Sequence, residues 1–428
     1  MDAARFTDSV RSRLREIGPG FITGAADDDP SGIATYSQTG AVFGYSQLWL
    51  VWFTLPFMIV IQQMCGRIGM VTGRGLAGVI REHYPAWVLH VTVLLLVTAN
   101  TINIGANLGA MAASAQMLLG MPFPAWLVLM TVTVVALEVL VPYRAYARLL
   151  KYLGLSLLAY VLTAFVVRPD ARALVTGLVL PTLDLSTPYV LNIVALLGTT
   201  ISPYLFFWQA SEEVEEAVSN GRLAEIGAGR PCVTRAGVAA MNRDTFVGMF
   251  FSQVIMFFII TTTAATLYGS GSAPIGTATE AAEALRPLAG DLAYVLFAAG
   301  IIGTGLLAVP VLAGASAYAV AETVGLRQGL GKPPGQARGF YVVIAVSTLL
   351  GMLVHAAGID PIRALYYAAA INGLAAPPLM ALIVMLAARK DVIGRFVSSR
   401  LSTLLGWTIV GVMALAGFVL IVGLATGG

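Results

Sequence analysis

The sequence predicts an all-α polytopic membrane protein of about eleven helices, built as two inverted five-helix units with one helix appended. Three observations carry this reading. The 428 residues are 58% apolar and only 11% charged, with a mean hydropathy of +0.83, whereas soluble domains sit near half apolar and a quarter charged. Lys and Arg fall almost entirely on alternate connections between apolar stretches. Two of those stretches, five helices apart, are interrupted near their middles. The composition excludes a soluble enzyme with one apolar tail, a disordered chain, and a nucleic-acid binder, which needs a charged face. At about 20 apolar residues per span, little length remains for soluble domains. The whole chain is expected to form a single transmembrane domain with the lipid bilayer as its partner, and nothing in it sets an oligomeric state.

Apolar stretches bounded by polar or Gly/Pro punctuation lie near residues 18–43, 46–70, 86–116, 122–141, 147–168, 189–216, 243–268, 291–323, 339–357, 361–388 and 402–426. The longest connections, about 217–242 and 269–290, are too short to form domains. One side of the membrane collects Arg5, Arg11, Arg13, Arg15, Arg67, Arg74, Arg81, Arg144, Arg148 and Lys151. It also holds Arg222, Arg230, Arg235, Arg243, Arg327, Lys332, Arg338, Arg389, Lys390, Arg395 and Arg400. That is 21 of the 25 basic residues, and the other side has only Arg168, Arg172, Arg286 and Arg363. The positive-inside rule then places the N-terminus in the cytoplasm and the C-terminus outside, in the cytoplasmic membrane. The first twenty residues contain four arginines and no short apolar core before a small-residue cleavage site. They read as a cytoplasmic tail rather than a secretory signal. Cys65 and Cys232 are too few for a disulfide framework, and neither is given a redox role.

The first span is interrupted at Asp27-Asp28-Asp29-Pro30-Ser31-Gly32 and the sixth at Thr199-Thr200-Ile201-Ser202-Pro203. An odd number of helices between the breaks inverts the second unit relative to the first. The units are expected at about 18–168 and 189–388, with the extra helix at about 402–426. Paired broken helices in inverted halves point to a transporter's binding site.

Even one aspartate at the centre of a span costs about 2.5–3.5 kcal/mol on insertion scales. Three in succession therefore call for water, an ion or a partner. Pro30 removes a backbone donor and Gly32 adds freedom, so the helix unwinds and frees carbonyls. Carboxylates and freed carbonyls, that of Ala26 included, make an oxygen-rich cation site. Asp29, immediately before the proline, is the leading ligand, with Asp27 and Asp28 on the inner approach. The alternative is that the aspartates cap a cytoplasmic helix end and the span begins at Ile33, which leaves the apolar stretch Pro19 to Ala26 outside the membrane. In the sixth span, carbonyls of Thr199 or Thr200 and the Ser202 hydroxyl would complete a hard oxygen shell; the alternative is a proline kink in a packing helix. Glu212, Glu213, Glu215 and Glu216 follow. They read either as a lure for cations in the inner vestibule or, preferably, as a solvated helix end pairing with arginines.

The segment Gly18-Pro-Gly-Phe-Ile-Thr-Gly-Ala-Ala-Asp-Asp-Asp-Pro-Ser-Gly-Ile-Ala-Thr resembles the first helix of the NRAMP family of divalent-metal transporters. The family's Gly-Pro-Gly-Phe start leads there to an Asp-Pro-Gly-Asn break. Gly198-Thr-Thr-Ile-Ser-Pro-Tyr-Leu-Phe-Phe-Trp-Gln is similar to the family's sixth helix, whose core reads Met-Pro-His-Asn. Gly303-Thr-Gly-Leu-Leu-Ala and Ala313-Gly-Ala-Ser-Ala-Tyr-Ala are similar to its eighth. The resemblance runs through nearly the whole chain and implies the LeuT-type inverted-repeat fold.

The departures carry chemical meaning. Asp29 falls on the family's ligand aspartate and Pro30 on its proline, but the motif's Asn ligand is replaced by Gly32. Ser202 stands for the soft Met ligand and Tyr204 for the His after the proline. Gln209 stands for the second His, linked in the family to proton release. The acidic residues of the third helix give way to Asn100, Asn103 and Asn107. The tenth-helix Gln ligand falls on Ala376, with Asn372 nearby. Thioether and imidazole favour later transition metals, whereas carboxylate, carbonyl and water suit Mg, Ca and Mn. A roomier oxygen site admits an ion that keeps waters, as magnesium prefers. The resemblance and its departures thus imply a divergent carrier of a hard divalent cation, Mg²⁺ or Mn²⁺, as substrate rather than cofactor. The neutral residues at the relay positions argue against proton coupling.

Three other readings compete. The same fold carries organic solutes; three aspartates would repel an anion, but an organic cation would pack on Tyr36, Tyr204, Phe206, Phe207 and Trp208. A membrane enzyme lacks a second catalytic aspartate, and His83, His90 and His355 have no zinc-ligand spacing. A non-transporting sensor binding the same ion has no distinguishing sequence feature.

Overall fold

The computed structural model describes residues 18–141, 157–268 and 274–426. The tail arginines Arg5, Arg11, Arg13 and Arg15, the Arg144/Arg148/Lys151 connection and the start of the fifth span lie outside the described residues. Every regular element among the described residues is a helix.

The first span is two half-helices, α1 (Pro19–Asp27) and α2 (Pro30–Phe43), with Asp28 and Asp29 between them. Pro30 opens α2 at a position where its missing N–H has no intrahelical partner in any case. Then follow α3 (Leu50–Thr72), the short α4 (Leu76–His83), α5 (Ala86–Leu119), α6 (Phe123–Leu140), α7 (Leu158–Val167) and α8 (Ala171–Val179). The sixth span divides into α9 (Thr187–Thr200) and α10 (Pro203–Ser219), again with proline at the start of the second half. The chain continues through α11 (Arg235–Leu267), α12 (Leu292–Val324), α13 (Arg338–Met352), α14 (Pro361–Ala388) and α15 (Arg400–Thr426). Nine helices among the described residues, with α9 and α10 taken as one, are long and apolar enough to cross a membrane. Helix α11 starts eight residues before the expected 243, and α4 and α8 turn two connections into helix.

Helices α5 and α12 pack along one another, with α6 and α13 beside them as a scaffold. Against this stand the broken helices. The half-helices α1 and α2 both lie on α11, while α10 lies on α3 and α9 on α14. The first broken span therefore meets the seventh and the second broken span meets the second, the exchange of partners that an inverted repeat requires.

Small residues bring α1 against α11. A β-carbon on Gly24 would sit 2.3 Å from the Gly248 carbonyl, and one on Gly20 would sit 2.6 Å from the Thr245 nitrogen. Backbone meets backbone there, as in small-residue seams between membrane helices. Asp244 of α11 also caps the start of α1, accepting from Gly18 N at 3.1 Å and Phe21 N at 3.2 Å.

Candidate metal centre

The three aspartates are all buried, at 0–1% exposure. This places them inside the protein rather than at a solvated helix end. Their side chains, however, part company. Asp29 is the N-cap of α2: Oδ1 accepts from Gly32 N at 2.8 Å and from Ser31 Oγ at 2.5 Å. Its Oδ2 accepts from Asn107 Nδ2 of α5 at 3.2 Å. Asp27 and Asp28 turn instead to α11, where Ser252 Oγ lies 2.5 Å from Asp27 Oδ2 and 3.3 Å from Asp28 Oδ1. Among the described residues, no three His, Cys, Asp or Glu side chains converge as a metal-holding group. A cation here must draw on hydroxyls, amides and carbonyls as well.

The second break supplies those oxygens. Thr199 Oγ1 lies 3.2 Å from Ser31 Oγ, which joins the two breaks directly. Thr200 Oγ1 lies 3.4 Å from Tyr36 OH and 3.9 Å from Met256 Sδ. Gly32 faces the Asp27 carbonyl and Thr199: a β-carbon there would lie 3.2 and 3.5 Å from them. Any larger side chain would fill the gap between the half-helices. Ser202 donates its hydroxyl back to the Gly198 and Thr199 carbonyls, at 2.8 and 2.7 Å. It therefore satisfies the end of α9, while its lone pairs stay available. Tyr204 OH donates to the Ala26 carbonyl at 2.9 Å, tying α10 to the last turn of α1 and occupying one of the expected backbone ligands.

Other expected residues lie elsewhere. Gln209 is not at the break: it accepts from Thr23 Oγ1 at 2.6 Å and donates to Glu213 Oε1 at 3.0 Å, between α1 and α10. Asn103, one turn from Asn107 on α5, is fully buried with neither amide atom bonded among the described residues. Asn372 of α14 has the same standing, beside the close approach of Gly373 to Val194 of α9. Glu212 is half-buried further along α10. The glutamate run is only in part the solvated, arginine-paired end expected. Glu213 is buried, Glu215 accepts from Tyr318 OH and Leu330 N at 2.7 Å each, and Glu216 meets Arg222 at 3.9 Å. Glu215 thus faces α12 and its loop, where packing contacts satisfy it.

Tyr36, Tyr204, Phe206, Phe207 and Trp208 are buried at 0–2% exposure. Trp208 packs edge-on against Tyr318. These rings serve the core and form no cage for an organic cation. His355 bonds the Gly105 carbonyl at 2.7 Å and packs on Phe123, as a packing residue does. Ser252 and Asp244 were not foreseen. A serine amid the apolar residues of α11, next to Gln253, was the available signal, since polar side chains in a span tend to face the bundle interior.

Two proline-broken helices, crossing at mid-bundle with buried carboxylates at one break and hydroxyls at the other, define a multi-pass membrane transporter rather than an enzyme. The family profile described as "Natural resistance-associated macrophage protein-like" (Nramp) matches residues 20–423. The chain belongs to this family of metal-ion transporters of the cytoplasmic membrane. It is 28% identical over 426 residues to the divalent metal cation transporter MntH of Deinococcus radiodurans, covering 96% of this chain and 90% of that one. It is 27% identical over 425 residues to MntH of Klebsiella pneumoniae, covering 96% and 94%. The fold superimposes on a manganese transporter of Eremococcus coleocola with a TM-score of 0.74, 17% identity, and coverage of 94% and 85%. It also matches Mhp1, a nucleobase-cation-symport-1 family transporter, with a TM-score of 0.58, 13% identity, and coverage of 95% and 91%. These structures establish the LeuT-type fold.

Proposed function

We propose that this chain carries a hard divalent cation, Mg²⁺ or Mn²⁺, across the membrane by alternating access around the paired breaks. The observation that carries the reading is the donor set. Asp29, Ser31, Thr199, Ser202 and the neighbouring carbonyls offer oxygen, and the position of the soft thioether holds Ser202. Such a set suits Mg and Mn over softer ions. A sulfur does stand behind this shell, but Met256 Sδ meets it through the Thr200 hydroxyl. The names of the MntH relatives and of the manganese transporter agree with a divalent substrate. Proton coupling is not part of the reading, because Gln209, Asn103 and Asn107 do not titrate. The cytoplasmic N-terminus rests on the Lys/Arg distribution.

The test is uptake of Mg²⁺ and Mn²⁺ into proteoliposomes by the intact chain and by Asp29→Ala, with internal pH recorded. Saturable uptake that Asp29→Ala abolishes, without acidification, is expected. Acidification in step with uptake would overturn the uncoupled part and direct attention to Glu213, which bonds Gln209. Absence of flux of either ion through folded protein would sink the metal reading and leave an organic solute or a sensor.

A further inference from the structure

The reading above rests on Asp29, and the other two aspartates have no part in it. We propose that Asp27, Asp28 and Ser252 together hold a divalent cation, on the α11 side of the break and apart from the Asp29 cap. The inference deepens the hard-cation reading and rests on it.

Asp27 and Asp28 are 0% and 1% exposed. Each has one oxygen turned toward Ser252 of α11 and one oxygen, Asp27 Oδ1 and Asp28 Oδ2, with no hydrogen-bond partner. No Lys, Arg or His forms an ion pair with either among the described residues. One hydroxyl has one proton, so Ser252 cannot satisfy both carboxylates. Buried carboxylates left with bare oxygens and no counter-charge are strongly unfavourable. A doubly charged cation held between them would balance both carboxylates at once. The two carboxylates that meet at Ser252, with the Ser252 oxygen itself, would supply hard donors, and waters would complete the shell of an ion such as Mg²⁺ or Mn²⁺.

The backbone is arranged to make this cluster. Gly24 and Gly248 touch across the seam between α1 and α11. One turn further along each helix stand Asp28 and Ser252. The closest approach of the two helices thus delivers the carboxylates to the hydroxyl, and a larger residue than Ser at 252 would hold them off. Asp29 turns the other way, to Asn107 of α5. Its hydrogen bonds run to Ser31, Gly32 and Asn107, so its carboxylate is set apart from the pair that meets Ser252.

The experiment titrates purified, full-length protein with Mn²⁺, reading free Mn²⁺ by electron paramagnetic resonance, with thermal unfolding followed in parallel with and without metal. The wild type, Asp29→Asn, Ser252→Ala and the double variant Asp27→Asn/Asp28→Asn are compared. Asp29→Asn, expected to lose transport as Asp29→Ala does, should still bind Mn²⁺, because Asn caps helices as well as Asp does. The double variant is expected to weaken Mn²⁺ binding more than about 100-fold, and Ser252→Ala about 3- to 10-fold. Without metal the double variant should unfold at a higher temperature than the wild type, since two buried carboxyls are gone, and Mn²⁺ should raise that temperature less than it does in the wild type. A double variant that titrates like the wild type overturns the inference and leaves the transport reading intact. Loss of all binding in Asp29→Asn overturns it too, by merging the two sites into one. A wild type that binds no Mn²⁺ overturns both. If the double variant does not fold, Asp28→Asn and Ser252→Ala decide by the same criteria.

Discussion

Gly24→Ala is the sharpest test of how α1 is held. The added β-carbon would lie 2.3 Å from both carbon and oxygen of the Gly248 carbonyl and 2.6 Å from its Cα, where ordinary contact begins at 3.4 Å. All three atoms are backbone, so no rotamer relieves the clash, and in an interior packed to crystal density the helices must part by about 1 Å. Overpacking of this kind costs about 1–3 kcal/mol. Alanine recovers about 1 kcal/mol of helix preference over glycine, leaving a net loss of up to about 2 kcal/mol. The same shift stretches the 2.5 Å contact between Asp27 and Ser252 toward about 3.5 Å, the limit of a hydrogen bond. Thermal unfolding of the detergent-solubilised protein and Mn²⁺ uptake in proteoliposomes should therefore both fall. The matched control is Gly411→Ala in α15, where an added β-carbon meets nothing within 4 Å. That substitution should stabilise by about 0.5–1 kcal/mol from helix propensity alone. If Gly24→Ala melts at or above the wild-type temperature, the seam is not the constraint described.

Asp244→Ala removes the cap on α1 and should cost about 1–2 kcal/mol; the expected signature is faster hydrogen exchange confined to residues near 18–24, and unchanged exchange there would contradict the cap. Ser202→Met returns a thioether to the second break. It should shift uptake in competition assays toward softer ions such as Cd²⁺, at an overpacking cost of about 1–3 kcal/mol because Ser202 is fully buried. Between the 220s and 330s loops, the hydrogen bond from Lys332 holds the Glu225 carboxyl below its ordinary range. That contribution is present above the unfolded pKa and is lost as pH falls through the depressed folded value. It is under about 1 kcal/mol for so exposed a pair. Hydrogen exchange in the two loops should rise on acidification in the wild type and show no such step in Lys332→Ala.

Much of the architecture was legible because proline and aspartate punctuate a helix wherever they stand. Pro30 and Pro203 each open the second half of a broken span, and the residue before each is the N-cap. What the chain did not disclose is direction. Three consecutive aspartates read as one cluster, yet successive residues at a helix break point to different neighbours, and two of them face α11 while the third faces α5. Gln209 occupies a relay position in the alignment of motifs, but one and a half turns beyond the break it bonds Thr23 instead. The glutamates looked solvated because a run of like charge usually is; Tyr318 and the Leu330 amide, distant in sequence, satisfy Glu215. Ser252 was hidden for the opposite reason: beside Gln253 in a long apolar span it marks a polar face, but not which helix that face meets.

The caps at the two breaks differ in charge. A helix N-terminus behaves as roughly half a positive elementary charge, and both α2 and α10 aim such an end at the middle of the bundle. At α2 the Asp29 carboxylate cancels it. At α10 the Ser202 hydroxyl turns away to the carbonyls of α9 and makes no side-chain cap, so the positive end stays uncancelled. The inverted repeat is therefore symmetric in backbone but not in field. Since the carbonyl ends of α1 and α9 lie alike at the two breaks, this difference in caps biases a cation to sit off the pseudo-two-fold axis, toward the first break.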